Sequence, residues 1–168
     1  ESLTMTPRTF NVLFLCTGNS ARSIMAESIL RLQGMGRFQA YSAGSKPAGQ
    51  VHPYAIELLQ RNHYPLENLR SKNWDEFAAA DAPRMDFVLT VCDSAKAELC
   101  PVWPGQPMSA HWGVPDPVAV EGDEITRRKA FSDAFLVLNR RISLLANLSF
   151  DKLSRLSLQT ELERIGQA

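Results

Sequence analysis

Cys16 and Arg22 bracket five residues, Thr17, Gly18, Asn19, Ser20 and Ala21, and Ser23 follows directly. These residue types suit a tetrahedral oxyanion. A loop opening onto a helix N-terminus turns several backbone N–H groups inward, and the helix dipole adds partial positive charge. Gly18 is expected to let the backbone curl tightly. Arg22 can close the ring by gripping two oxygens with its planar fork. In that field Cys16 is expected to ionise well below its free pKa of ~8.5 and to act as a thiolate nucleophile. Ser23 is expected to donate to the Cys16 sulfur, and Asn19 to brace the loop. A cysteine and an arginine at this spacing also meet by chance, Cys16 then being a core residue and Arg22 a surface one. Placement between an apolar run and a helical pattern favours the chemical reading.

Two further thiols stand at Cys92 and, eight positions on, Cys100. They could be separate buried cysteines, which are among the most buried residue types. They could also join a His such as His111 around a metal, although the spacing is not that of a tight zinc knuckle. A static disulfide is a third option, disfavoured in a reducing compartment. Asp116-Pro117 reads as an ordinary turn start when taken alone. Beside an oxyanion loop it reads as a general acid aimed at a leaving oxygen, with Pro117 restricting the Asp116 backbone.

These groups need elements to hold them. Phe10 to Leu15 is an apolar run suited to a strand buried on both faces. Ile24 to Leu32 reads as a helix with Met25, Ile29 and Leu32 on one face, stopping near Gly34 and Gly36. Phe38 to Ser42 suggests a second strand. His52-Pro53 opens a helix that runs through Ile56 and Leu59 to Asn62. Trp74 to Ala80 suggests a short helix, Asp86 to Val91 a third strand, and the alternation Met108, Ala110, Trp112 a last one. Asp123 can cap a long helix with Phe131, Ala134, Leu138, Ile142 and Leu145 in a stripe. Ser149 or Asp151 can cap a final helix carrying Leu153, Leu156, Leu162 and Ile165.

Strands alternating with helices predict an α/β fold: a doubly wound parallel sheet of about four strands with helices on both faces. Ligands in such sheets bind at the carboxyl ends of the strands, where the Cys16–Arg22 loop, the segment after Val91 and the loop after Trp112 all lie. The expected organisation is a flexible segment over residues 1–9 and a single domain over residues 10–168. His52, His63 and His111 are expected to cap, to lie at the surface and to pack. Trp74, Trp103 and Trp112 are expected to be packing aromatics.

Composition narrows the class. The 168 residues are 45% hydrophobic and 21% charged, and no apolar run reaches the ~18 residues of a membrane span. Lys+Arg and Asp+Glu number 18 each, so the basic excess of a nucleic-acid or membrane-surface binder is missing. Three cysteines, an odd number, argue against a secreted disulfide scaffold and for a cytoplasmic protein with working thiols. The first nine residues lack the apolar centre of a signal peptide.

The stretch Val12-Leu-Phe-Leu-Cys-Thr-Gly-Asn-Ser-Ala-Arg-Ser-Ile-Met-Ala-Glu27 resembles the low-molecular-weight protein tyrosine phosphatase superfamily. The likeness continues through Ser42-Ala-Gly44, His52-Pro53, Cys92-Asp93 and Asp116-Pro117. Val91-Cys-Asp93, Cys100-Pro101 and His111-Trp112 ahead of Asp116-Pro117 make it similar to the thioredoxin-coupled arsenate reductases of that superfamily. The resemblance implies the phosphatase fold, Cys16 as nucleophile, Asp116 as acid, and Arg22 with the amides from Thr17 to Ser23 as oxyanion holders. It assigns Cys92 as second and Cys100 as third nucleophile of a disulfide relay. A thiol–arsenic(V) adduct has a redox exit through a second thiol, whereas a phosphate adduct has none. Cys92 and its segment must then move during the cycle, since exchange needs sulfur-to-sulfur contact.

By the same resemblance no cofactor is tightly bound, and an external thiol reductant (thioredoxin, glutaredoxin or mycoredoxin) regenerates the thiols. Some relatives hold potassium near the loop. Asn19, Glu27 and Ser42 fit such a site, while Asn73 stands where a carboxylate is expected. The chain departs from the phosphatases in having Val118-Ala119-Val120 after Asp-Pro in place of aromatic residues, and Ile24 in place of Pro after Arg-Ser. Two other readings stand beside the reductase. One is a phosphatase for phosphotyrosine or a small phosphomonoester. The other is a non-catalytic thiol module that binds arsenite or a metal.

Overall fold

Side chains on a strand alternate between faces, and the apolar run at residues 10–16 uses both. The computed structural model of the protein describes residues 8–92 and 103–168. In it, β1 (Phe10–Cys16) sends Val12, Phe14 and Cys16 into one buried cluster and Leu13 and Leu15 into another. β1 pairs in parallel with β2 (Phe38–Gly44) on one side and with β3 (Phe87–Thr90) on the other; β4 (Met108–His111) extends the sheet beyond β3. The order is β2-β1-β3-β4, the expected four-stranded parallel sheet.

The long helices are α1 (Arg22–Gln33), α2 (Pro53–Arg61), α3 (Glu124–Ala146) and α4 (Arg155–Ile165). Their buried residues join the Val12 and Phe14 cluster. The opposite cluster is closed by Trp74, Phe77 and Met85. α1 is buried from Ser23 through Leu30, so the expected single apolar face is a correction: Ile24, Ala26 and Leu30 are buried too, while Leu32 is exposed. A helix buried all round sits in the centre of the layer, which makes its N-terminus a fixed point for the site.

Other boundaries follow local chemistry. His52 caps α2 by accepting the Tyr54 N–H on Nδ1 at 3.1 Å, and Asp123 caps α3 by accepting the Thr126 N–H at 2.8 Å. The predicted stripe on α3 is buried throughout. Residues 74–80 form a 3-10 turn over Trp74–Phe77 and not a longer helix. The final helix starts later than predicted. Phe150 is drawn into a ring cluster with Phe10, Phe38 and Phe87, at centroid separations of 4.6, 5.7 and 5.7 Å. That contact holds Phe150–Lys152 in a 3-10 turn, and Ser154 becomes the cap by accepting the Ser157 N–H. Leu156 consequently faces solvent. His63 is exposed, His111 bonds Thr90 from β4, and Trp103 packs edge-on against Trp74. No helix among the described residues is long and apolar enough to cross a membrane.

Candidate functional site

The loop from Cys16 to Ala21 joins the end of β1 to the start of α1. Its carbonyls are tied outward. The Cys16, Thr17, Gly18 and Ser20 carbonyls accept the N–H groups of Ser45, Lys46, Ala48 and His52 at 2.9–3.3 Å. A trans peptide sets C=O and the next N–H on opposite sides. The amides of Thr17, Gly18, Asn19 and Ala21 therefore turn toward the loop's centre, and the Asn19 N–H meets the Cys16 sulfur at 3.2 Å. α1 adds to this. Its first turn has no side-chain cap and no acidic residue, which leaves orphan N–H groups and the positive end of the dipole free for an anion.

The tight backbone falls on a different residue from the one predicted. Gly18 has ordinary room for a Cβ, whereas Asn19 takes the left-handed conformation at φ 47°, which Asn tolerates better than most residues. The glycine that matters is Gly44 at the end of β2, where a Cβ would stand 2.3 Å from the Thr17 carbonyl oxygen. Its lack of a side chain lets β2 press against the loop. Within Ser42-Ala-Gly44 the sequence alone does not mark Gly44 for this role.

Behind the loop lies a chain of buried hydrogen bonds. Asn19 is fully buried; its Nδ2 donates to Ser23 Oγ at 2.8 Å and to Ser42 Oγ at 3.0 Å. Ser42 Oγ donates in turn to Glu27 Oε1 at 2.5 Å. Ser23 Oγ is 2.7 Å from Cys16 Sγ; since Ser23 already accepts from Asn19, its proton is free for the sulfur, as predicted. Asn19 Oδ1 accepts the Lys72 N–H at 2.9 Å, which fixes the orientation of the amide.

Cys16 itself departs from expectation. A hydrogen bond with the Cys92 side chain, which favours the protonated Cys16 thiol, and then burial push that thiol well above the ordinary cysteine range, against the lowering from Ser23. Two adjoining sulfurs cannot both carry charge cheaply, so ionising one suppresses the other. The Arg22 guanidinium is held at the cleft wall: Nη1 donates to the Val114 carbonyl at 2.9 Å, and Nη2 stands 3.6 Å from Asp116 Oδ2. Asp116 also accepts the Val118 N–H at 3.0 Å and so caps the 3-10 turn Pro117–Ala119.

Cys16, the loop, Arg22 and Asp116 thus line one cleft of about 330 Å³ together with Ala48 and Val118. None of those lining residues is aromatic. Cys92 is buried just beyond β3, with Thr17 Oγ1 3.6 Å from its sulfur. Cys100 lies outside the described residues. The expected potassium site has a lysine beside it. The Lys72 ammonium donates to the Ser42 carbonyl at 2.8 Å and stands 3.9 Å from Glu27 Oε1, among the atoms such an ion would need. Nothing in the sequence marks Lys72, a lysine in a polar loop, as buried.

The fold and this loop define a class. A description of the low molecular weight phosphotyrosine protein phosphatase family matches residues 11–155, and the chain belongs to that family. Within it the chain is similar to arsenate reductases. It is 33% identical over 135 residues to an arsenate reductase of Oceanobacillus iheyensis, covering 80% of this chain and 94% of that one. The structure of an arsenate reductase from Archaeoglobus fulgidus superposes with a TM-score of 0.61 at 27% identity, over 82% of this chain and 99% of that chain. A low molecular weight phosphotyrosine phosphatase from Vibrio cholerae shares the fold, with a TM-score of 0.64 at 23% identity over 85% and 97% of the two chains.

Proposed function

We propose that this protein reduces arsenate to arsenite, with Cys16 as nucleophile and Cys92 as the thiol that takes over its sulfur. The observation that carries the reading is a second buried thiol beside the anion loop, Cys92, whose sulfur lies 3.6 Å from Thr17 Oγ1 and whose side chain acts on the Cys16 thiol. Hydrolysis of a phosphate ester has no use for a second sulfur there, while disulfide formation requires one. The cleft, with Ala48 and Val118 and no ring among its described lining residues, suits a small tetrahedral anion better than an aryl ester. The similarity to proteins named arsenate reductase supports the same reading.

The Cys16 thiolate attacks arsenic(V) while the loop amides and Arg22 hold its oxygens. A hydroxide leaves as water with a proton from Asp116, and a sulfur–arsenic bond forms. The Cys92 thiolate then attacks Cys16 Sγ. The sulfur–arsenic bond breaks with its electron pair passing to arsenic, which leaves as arsenite, and a Cys16–Cys92 disulfide remains. Cys100 attacks Cys92 and frees Cys16. An external dithiol protein of the thioredoxin, glutaredoxin or mycoredoxin class reduces the Cys92–Cys100 bond.

The test is stoichiometry without a reductant. Reduced protein mixed with arsenate is expected to release one arsenite per chain and stop, and Cys92→Ser to release none. The second reading, a phosphatase for small phosphomonoesters, rests on the same loop, Arg22 and Asp116. No arsenite from the wild type, together with undiminished phosphomonoester hydrolysis by Cys92→Ser, would establish that reading in its place.

A further inference from the structure

Lys72 is a buried cation that the chemistry above leaves unused. It is only 7% exposed, far less than a lysine ordinarily is. Its ammonium donates to the carbonyls of Ser42 and Arg70, both at 2.8 Å, and faces Glu27 Oε1 at 3.9 Å. Two carbonyls and a buried carboxylate converging on one point make a donor set for a hard cation. That point is filled by the chain's own ammonium. The same residue reaches the catalytic loop by another route, since its backbone N–H holds Asn19 Oδ1 at 2.9 Å. Asn19 then aims Ser23 at Cys16.

We propose that Lys72 is the built-in cation of the anion loop. It occupies the place of a monovalent metal ion, balances buried Glu27, and acts as a positioning residue that keeps Asn19 and the loop amides set for a tetrahedral anion. Arg31 takes the other oxygen of Glu27 at 2.6 Å, but from the helix surface. Lys72 instead sets a positive charge beside that carboxylate and, like Ser42, ties it to the β2 backbone and to Asn19. Anion binding by the loop is then independent of potassium. The inference rests on the loop as an anion site and not on which reaction follows.

The probe is inorganic phosphate, read by its protection of Cys16 from alkylation by iodoacetamide, with the full chain in NaCl or KCl. At equal ionic strength the screening is equal, and the wild type is expected to bind phosphate with affinities within about twofold in the two salts. Lys72→Met, which keeps the stem and removes the charge, is expected to weaken phosphate binding ~10-fold, the loss usual when a supporting contact behind a site is removed. Lys72→Ala opens the cation point, so potassium but not sodium should restore much of its phosphate binding. Severalfold tighter binding by the wild type in KCl would overturn the proposal, and that comparison needs no folded variant. So would a Lys72→Met protein that melts at lower temperature but binds phosphate normally, for Lys72 would then be a prop for the fold alone.

Discussion

The Cys92 side chain acts on Cys16 at the anion loop and, together with burial, pushes the Cys16 thiol well above the ordinary cysteine range. A nucleophile is usually activated by lowering its pKa. Here the resting pair favours one proton too many, and the anion loop must overcome this once substrate enters. The coupling is the cost of keeping the second sulfur close enough to react.

That cost is measurable. Because Cys92 raises the Cys16 pKa, Cys92→Ala should lower it. The pH profile of Cys16 alkylation should shift to lower pH, so that at neutral pH the variant is alkylated faster than the wild type. An unshifted or upward-shifted profile would show that burial, and not the neighbouring sulfur, sets the thiol.

Arg22 rests on the Val114 carbonyl and near Asp116, from where its fork can turn to the anion. Lysine keeps the charge but offers no planar pair of donors. Arg22→Lys should reduce kcat/KM for arsenate about 100-fold, the scale of losing one oxyanion donor. Near-normal kinetics would mean that the loop amides hold the anion alone.

Asp116 is tested without loss of structure, since asparagine can still accept the Val118 N–H and cap the turn. Asp116→Asn should slow formation of the arsenic adduct by about 100-fold, as loss of a general acid does. Disulfide exchange after that step should be nearly unchanged in rapid-mixing experiments. Slowing confined to reduction by the external dithiol would remove Asp116 from the acid role.

Gly44 is the most exacting contact between sheet and loop. Alanine there would put its Cβ against the Thr17 carbonyl oxygen at 2.3 Å, which is backbone and cannot swing aside. Gly44→Ala should cost about 1–3 kcal/mol of stability by overpacking and should weaken phosphate binding as the loop shifts. A protein with unchanged melting and anion affinity would show that the loop does not need this fit.

The reach of the sequence is seen at these same residues. Cys16, Arg22, Ser23 and Asp116 are legible because short spacing, or a strand followed by a turn, carries them to one sheet edge. The strands are legible because a sheet buried on both faces writes itself as apolar runs. Lys72 and Gly44 are not, since each acts through a partner more than twenty-five residues away in sequence. The Cys16 pKa is hidden for the same reason: the loop argues for lowering, and only the fold brings Cys92 beside it. The late start of α4 depends on Phe150 joining rings from three strands, a tertiary preference that no local cap announces.

The relay makes its sharpest demand on Cys100. Its thiol has no part in adduct formation or in attack on the Cys16 sulfur. Cys100→Ser should therefore release one arsenite per chain and stall as a Cys16–Cys92 disulfide. The wild type treated in the same way should accumulate a Cys92–Cys100 disulfide with Cys16 reduced, because the third thiol has moved the bond outward. Peptide mapping by mass spectrometry, after quenching in acid to stop exchange, distinguishes the two states. Phosphate-ester hydrolysis, if the loop supports any, should survive in Cys100→Ser. A Cys100→Ser protein that turned over continuously with an external dithiol at the wild-type rate would show that the reductant attacks the Cys16–Cys92 bond directly. The relay would then end at the second sulfur.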